Sequence, residues 1–247
     1  MAPRIICLED GGKRIRPVLC LLGNELFGPI IPDTWKIAVA LELFHNFTLI
    51  HDDIMDKAPL RRGRPTVHAK YNESTALLAG DVMLLQAYDY LNETDPNHVQ
   101  TLIRLLNNTG REVCEGQQLD MDFEKNPSIS LSEYLHMIEL KTAVLLAGSL
   151  QMGAIAAGAG QTDQQLIYDF GKNLGLAFQV QDDWLDAFGD PSTFGKLKGG
   201  GYPNICTQYM YRKYRPFVFR QTKNFVKIIS IVILNSPDIN PCFFGHG

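Results

Sequence analysis

Paired cysteines, strand periodicity and long signal-type apolar stretches are what this chain has least of. Its 247 residues hold five cysteines, Cys7, Cys20, Cys114, Cys206 and Cys242. None forms a Cys-x-x-Cys pair and their spacing is irregular. That excludes a disulfide framework and predicts reduced thiols in an intracellular, cytoplasmic protein. Near the N-terminus Arg4, Glu9 and Asp10 bracket an apolar stretch too short for a signal peptide. The uncharged span 142–162 is long enough to cross a membrane. Its Gly and Ala content and the polar Ser149, Gln151 and Gln161 instead predict a helix buried in a large helical protein, so no integral membrane protein is expected. No segment alternates apolar and polar residues over strand length, no tandem repeat is present, and no Ser or Cys sits in a recognisable catalytic triad.

What is present is helical periodicity. Apolar residues recur at three- and four-residue steps through 18–26, 35–50, 74–91, 99–119, 131–146, 144–159 and 166–188. Gly28-Pro29, Pro32-Asp33, Pro59, Asp95-Pro96-Asn97, Asn126-Pro127 and Gly189-Asp190-Pro191 punctuate these runs. Ser130 and Glu133 stand at capping-box spacing. The pattern predicts an all-α domain of about seven or more helices. Charge divides the chain: residues 1–200 hold 17 Lys+Arg against 26 Asp+Glu, whereas 201–247 hold 6 against 1, with the break at Gly199-Gly200-Gly201.

Two acidic pentapeptides carry most of the chemistry: Asp52-Asp53-Ile54-Met55-Asp56 and Asp182-Asp183-Trp184-Leu185-Asp186. Each follows an apolar run, and on a helix its first and last aspartates lie one turn apart on one face. Like charges at that spacing repel, so stability does not explain them. A hard divalent cation does, two solvated acidic turns being the competing reading: Mg²⁺ accepts one or two carboxylates and completes its shell with water and phosphate oxygens.

Cations suited to a diphosphate surround these motifs. Gly11-Gly12-Lys13-Arg14-Ile15-Arg16-Pro17 places three of them just before a helix start, where backbone N–H groups add to an anion site. Arg61-Arg62-Gly63-Arg64-Pro65 follows the first motif, and guanidinium groups chelate phosphate oxygens in fixed geometry. His45 lies seven residues before Asp52, on the same helical face. Lys141 and Thr142 offer a cation and a hydroxyl, Gln179 precedes the second motif by three residues, and Lys196 follows it. Nucleic acid is not the expected partner, because the surroundings are acidic and no aromatics interleave with the arginines.

With these residues in view the chain resembles the trans-isoprenyl diphosphate synthases, or polyprenyl synthetases. The likeness covers roughly residues 11–200 and rests on Gly-Gly-Lys-Arg-Ile-Arg-Pro, Leu-Ile-His-Asp-Asp-Ile-Met-Asp, Arg-Arg-Gly-Arg-Pro-Thr-Val-His, Glu115-Gly116-Gln117, Lys141-Thr142 and Phe178-Gln179-Val180-Gln181-Asp182-Asp183. The resemblance implies a single-domain helical bundle around a deep apolar cavity, with the aspartate motifs across its mouth. It implies a homodimer that condenses isopentenyl diphosphate with an allylic diphosphate. Asp52 and Asp56 are then the ligands of two Mg²⁺ ions and Asp182 of a third, with Asp53, Asp183 and Asp186 in support. Arg61, Lys141, Thr142, Gln179 and Lys196 are implied to bind the allylic diphosphate, and Lys13, Arg16, His45 and Arg62 isopentenyl diphosphate. Ionisation of the allylic C–O bond, attack by the alkene and loss of a proton complete the reaction, without a protein nucleophile. Dry apolar walls protect the cation from water.

Product length is implied to depend on Phe47, five positions before Asp52, with Phe44 about one turn deeper. The bulky Phe47 beside the smaller Thr48 favours a C15 or C20 product, C20 in particular; ordinary core packing is the competing role for Phe47. The resemblance ends where Gly201-Tyr202-Pro203-Asn204 replaces the family's continuation. Residues 201–247 are expected to form an atypical basic tail, disordered or poorly packed, from a frameshift, intron read-through or truncated gene model. The resemblance also implies a helix that begins some thirty residues earlier, so the domain is expected to be incomplete at both ends. Two alternatives stay open: a class I terpene cyclase, which shares the aspartate motif but needs no second diphosphate site, and an inactive remnant or partner subunit of a synthase.

Overall fold

The computed structural model describes residues 12–125 and 128–188, with side chains described as far as Asp183. Among these residues the fold is helical, with one small hairpin. They pack as two compact units, one formed by 12–106 with 149–165, the other by 107–148 with 166–188.

In the first unit, helix α1 (Ile15–Glu25) and helix α2 (Pro32–Met55) lead into a hairpin of β1 (Leu60–Arg61) and β2 (Arg64–Pro65). Short helix α3 (Val67–Lys70) and helix α4 (Glu73–Asn92) follow. Pro32 opens α2 behind an extended Ile31, a position where a missing N–H costs nothing. Leu41 and Ile50 of α2 are buried, as are Met83, Ala87 and Leu91 of α4, and the two helices pack along one another. The turn leading into α2 is fixed by buried Asn24, whose amide donates to the carbonyls of Gly28 and Pro29 while its oxygen accepts from the Thr34 hydroxyl. The start of helix α5 (Pro96–Phe123), the end of helix α7 (Val144–Ala156) and the start of helix α8 (Gln161–Phe188) complete this unit. There α1 crosses α7 at Gly153, where a Cβ would come within 1.9 Å of the Cys20 carbonyl oxygen. Only glycine allows that approach.

The second unit holds the rest of α5 and α8, the start of α7, and helix α6 (Leu131–Ile138) running into a π-helical turn, Glu139–Ala143. The expected capping box is present: the Glu133 N–H donates to Ser130 Oγ at 3.3 Å, and the Ser130 N–H to Glu133 Oε2 at 2.7 Å. Tyr134, Met137, Ile138 and Val180 form a buried cluster flanked by Leu119, Phe123 and Leu176. The run Leu131–Ala156 has the length and hydropathy of a membrane span, but 72% of its apolar window is buried within the protein. That agrees with the core-helix reading of its sequence.

Two features escaped periodicity. The single helix expected over 131–146 is interrupted by the π turn at Lys141-Thr142. The arginine run folds as a hairpin because Arg62 and Gly63, φ +52° and +76°, supply the two left-handed residues that a two-residue turn needs.

Candidate active site

The first aspartate motif ends α2. Asp52 and Asp53 lie in its last turn, and the helix stops just beyond through a Schellman arrangement. The Ala58 N–H bonds the Asp53 carbonyl at 3.0 Å and the Lys57 N–H bonds the Ile54 carbonyl at 3.2 Å, with Lys57 at φ +51° where glycine is usual. Three carboxylates therefore meet the negative end of the helix dipole, an arrangement that calls for cations. Asp53 turns inward and is buried, whereas Asp56 is exposed. Arg61 answers part of the charge: its Nε donates to Asp53 Oδ1 at 2.8 Å and its Nη2 to Asp52 Oδ2 at 3.2 Å. Burial pushes the Asp53 carboxyl up from its ordinary value, with Arg61 opposing the shift.

Asp52 and Asp56, hard oxygen donors one turn apart at the end of α2, fit Mg²⁺, which needs few protein ligands. Among the described residues no three carboxylate, imidazole or thiolate groups form a ready cage. The donor set suits an ion shared with a ligand's phosphate oxygens.

Beside this motif lies a cationic cluster. Arg16 Nη1 donates to His45 Nε2 at 2.9 Å, and Arg14 pairs with Glu42. The Arg62 guanidinium rests against Gly12, 3.0 Å from where a Cβ would stand. Because Arg16 has only donors, His45 Nε2 must accept, which leaves the ring proton on Nδ1. Burial, then Arg16, Arg62, Arg61 and Arg14, hold His45 well below its ordinary value, so it is neutral at pH 7. Burial and Arg62 bring Arg16 down to about 10, with Glu42 opposing, and it stays charged. Its Nε is buried and makes no hydrogen bond. Arg14, Arg16 and Arg62 thus gather around His45, with Glu42 paired to Arg14. Lys13 is exposed.

The second unit organises the other motif. Gln179 Nε2 donates to Asp183 Oδ1 at 2.7 Å, the Thr142 hydroxyl donates to Gln179 Oε1 at 2.9 Å, and the Tyr134 hydroxyl donates to Asp183 Oδ2. Lys141 pairs with Asp120. Lys141 and Thr142 sit in the π turn, a distortion frequent at functional sites. Gly116 of α5 lies under it, where a Cβ would come within 2.3 Å of the Lys141 nitrogen. The glycine of the Glu115-Gly116-Gln117 motif is therefore needed for close approach.

Sequence reasoning thus finds Arg16, His45 and Arg62 together, and Thr142, Gln179 and Asp183 together. Arg61, expected on a diphosphate, is here the partner of the aspartates. Lys196 and the Asp186 side chain lie outside the described residues. Tyr134, Asp120 and Glu42 were missed: each is a single polar residue on a helix, with no motif spacing to single it out. Phe47 stacks edge-on with Phe44 at 5.6 Å and with His51 at 4.8 Å.

The chain belongs to the polyprenyl synthetase family, whose model (Polyprenyl synthetase) matches residues 3–201. It is 43% identical over 194 residues to the geranylgeranyl diphosphate synthase of Methanosarcina mazei, covering 78% of this chain and 60% of that protein. A crystal structure of a geranylgeranyl pyrophosphate synthase matches at 47% identity with a TM-score of 0.80, over 91% of this chain and 69% of that one. The Helicobacter pylori geranyltransferase, solved with magnesium and isoprenyl diphosphate, matches at 30% identity and TM-score 0.79, over 95% and 82%. The chain spans about 60% of the length of the first of these curated relatives. Its all-α fold is that of its structural neighbours.

Proposed function

We propose that this chain is a Mg²⁺-dependent trans-prenyltransferase that adds isopentenyl diphosphate to an allylic diphosphate, giving a C15–C20 prenyl diphosphate. The observation that carries the reading is Arg16: a guanidinium with a buried, unsatisfied Nε, backed by neutral His45 and neighboured by Arg62. A buried donor without an acceptor is costly unless an anion completes it. A diphosphate supplies several acceptors. A terpene cyclase would have no use for this second anion site.

Asp52 and Asp56, with Asp182, are proposed to hold Mg²⁺, three ions with substrate bound, and Asp53, Asp183 and Asp186 to support them. Bound Mg²⁺ supplies electrostatic stabilisation of the departing diphosphate. Lys141, Thr142, Gln179, Arg61 and Lys196 are proposed to bind the allylic diphosphate. Lys13, Arg16, His45 and Arg62 orient isopentenyl diphosphate, His45 through its Nδ1 proton, so that its alkene meets the allylic carbon in a fixed approach. For Arg61 this role requires it to leave Asp52 and Asp53 as metal and diphosphate arrive. The Helicobacter pylori neighbour, complexed with magnesium and isoprenyl diphosphate, supports the metal and the ligand class.

A second copy of the chain is the proposed partner. Leu78 and Leu85 of α4, 64% and 63% exposed, share a stripe with Val82 at helical spacing, and this apolar face supports self-association. A cytoplasmic setting is proposed from the free thiols of Cys20 and Cys114. Residues 201–247, outside the described residues, are proposed to be an atypical basic tail beyond the isoprenoid synthase domain of residues 1–200.

Titration calorimetry with each diphosphate separates the two subsites. Arg62→Ala weakens isopentenyl diphosphate and spares the allylic ligand, whereas Lys141→Ala does the reverse. Loss of one and the same ligand in both variants contradicts the assignment.

A further inference from the structure

Tyr134 stands apart from every motif, yet its hydroxyl reaches the second aspartate motif from a buried ring. The ring is 3% exposed and packs with Met137, Ile138 and Val180. Its O–H donates to Asp183 Oδ2, and the Gln179 amide donates to Asp183 Oδ1 at 2.7 Å, so both carboxylate oxygens are engaged by protein. With its NH₂ committed to Asp183, Gln179 must turn Oε1 the other way, where Thr142 Oγ1 donates to it at 2.9 Å. The chain of bonds has one sense only, because Tyr134 and Thr142 donate at its ends and the carboxylate can only accept. A fixed polar chain of this kind, anchored in an apolar cluster, holds its members to one geometry.

We infer that Tyr134 is a positioning residue: its hydroxyl locks Asp183, and through Gln179 it sets the orientation of Thr142 in the π turn, so that Asp182 and Thr142 are presented to the allylic diphosphate and its metal together. Asp183 is then a strut, and Asp182 the metal-facing member of the pair. Without the hydroxyl, Asp183 Oδ2 loses a donor, the carboxylate rotates to recover one, and Gln179 is released to flip. The effect is confined to the allylic half, because Arg16 and His45 are bonded to each other within the first unit. This inference rests on the prenyltransferase reading.

Tyr134→Phe keeps the ring and its packing and removes only the hydroxyl. The test uses the full chain, with Mn²⁺ binding followed by electron paramagnetic resonance. Calorimetry with farnesyl thiolodiphosphate and with isopentenyl diphosphate gives the two ligand affinities. The expected result is a loss of about tenfold in Mn²⁺ and thiolodiphosphate affinity, the order that a hydrogen bond to a charged group carries. Isopentenyl diphosphate affinity stays unchanged. Asp183→Asn, made in the Tyr134→Phe background, adds little further loss, because the two residues act as one unit. A variant with lowered thermal stability but wild-type affinities for both Mn²⁺ and the thiolodiphosphate overturns the inference and leaves Tyr134 a packing residue. A wild-type chain that binds neither overturns the prenyltransferase reading itself, and the inference with it.

Discussion

Arg61 spans two consecutive aspartates, its Nε 2.8 Å from Asp53 Oδ1 and its Nη2 3.2 Å from Asp52 Oδ2. Asp53 is buried, so the pair differs from a surface ion pair of little worth. Arg61→Ala leaves a buried carboxylate with its desolvation unopposed. The expected cost at pH 7 is about 1–3 kcal/mol, discounted because Arg61 is one-third exposed.

The sign of its pH dependence follows. Burial already raises the Asp53 carboxyl above its ordinary 3.8, and loss of Arg61 raises it further. The folded variant then takes up a proton before the unfolded chain does, so the penalty is present above that window and shrinks as pH falls toward 4. Urea unfolding at pH 7 and pH 4 reads it. Asp53→Asn in the Arg61→Ala background should recover part of the loss.

His45 predicts the opposite slope for the wild-type protein. Burial and four arginines hold it well below 6.5, so the unfolded chain binds a proton that the folded one refuses. Stability should fall by up to about 1.4 kcal/mol per pH unit as pH drops below 6.5, toward the lowered folded value. His45→Gln should flatten that slope between pH 6.5 and 5.5 in denaturant titrations. An equal slope in both proteins would remove His45 from the account.

Gly116 should tolerate no side chain. A Cβ 2.3 Å from the Lys141 nitrogen and 2.7 Å from its Cα must displace the π turn. Gly116→Ala is expected to cost about 1–3 kcal/mol, as overpacking does. Calorimetry should show weaker allylic diphosphate binding with isopentenyl diphosphate spared.

The helices were legible in the sequence because periodicity reports packing, and the aspartate motifs because spacing puts carboxylates on one helical face. The hairpin was not legible: Arg62 adopts φ +52°, a conformation that costs a non-glycine residue roughly 1–2 kcal/mol and that composition does not announce. The π turn at Lys141-Thr142 was hidden for a related reason. It lies against Gly116, distant in sequence, at a close approach of two helices that local periodicity does not register. Tyr134 stayed invisible because one tyrosine among apolar neighbours looks like core, and only its hydroxyl's partner says otherwise.

Phe47 offers a test of product length. It packs edge-on against Phe44 and His51, five residues before Asp52, and it is only partly buried. Each added isoprene unit buries five carbons at roughly 0.8 kcal/mol per methylene, so length is limited by overlap with a wall rather than by affinity. Phe47→Ala should extend products beyond C20 with the first condensation little changed, and Phe44→Ala should do less. An unchanged product distribution in an active Phe47→Ala variant assigns Phe47 to core packing.

The most direct test is turnover by the full chain with Mg²⁺, farnesyl diphosphate and labelled isopentenyl diphosphate, the products being sized by chromatography. The account predicts a labelled C20 diphosphate that requires both substrates, disappears in excess EDTA, and falls at least about a hundredfold in Asp52→Ala or Asp56→Ala. Consumption of farnesyl diphosphate to a hydrocarbon without incorporated label, or label incorporated undiminished in EDTA, would contradict it.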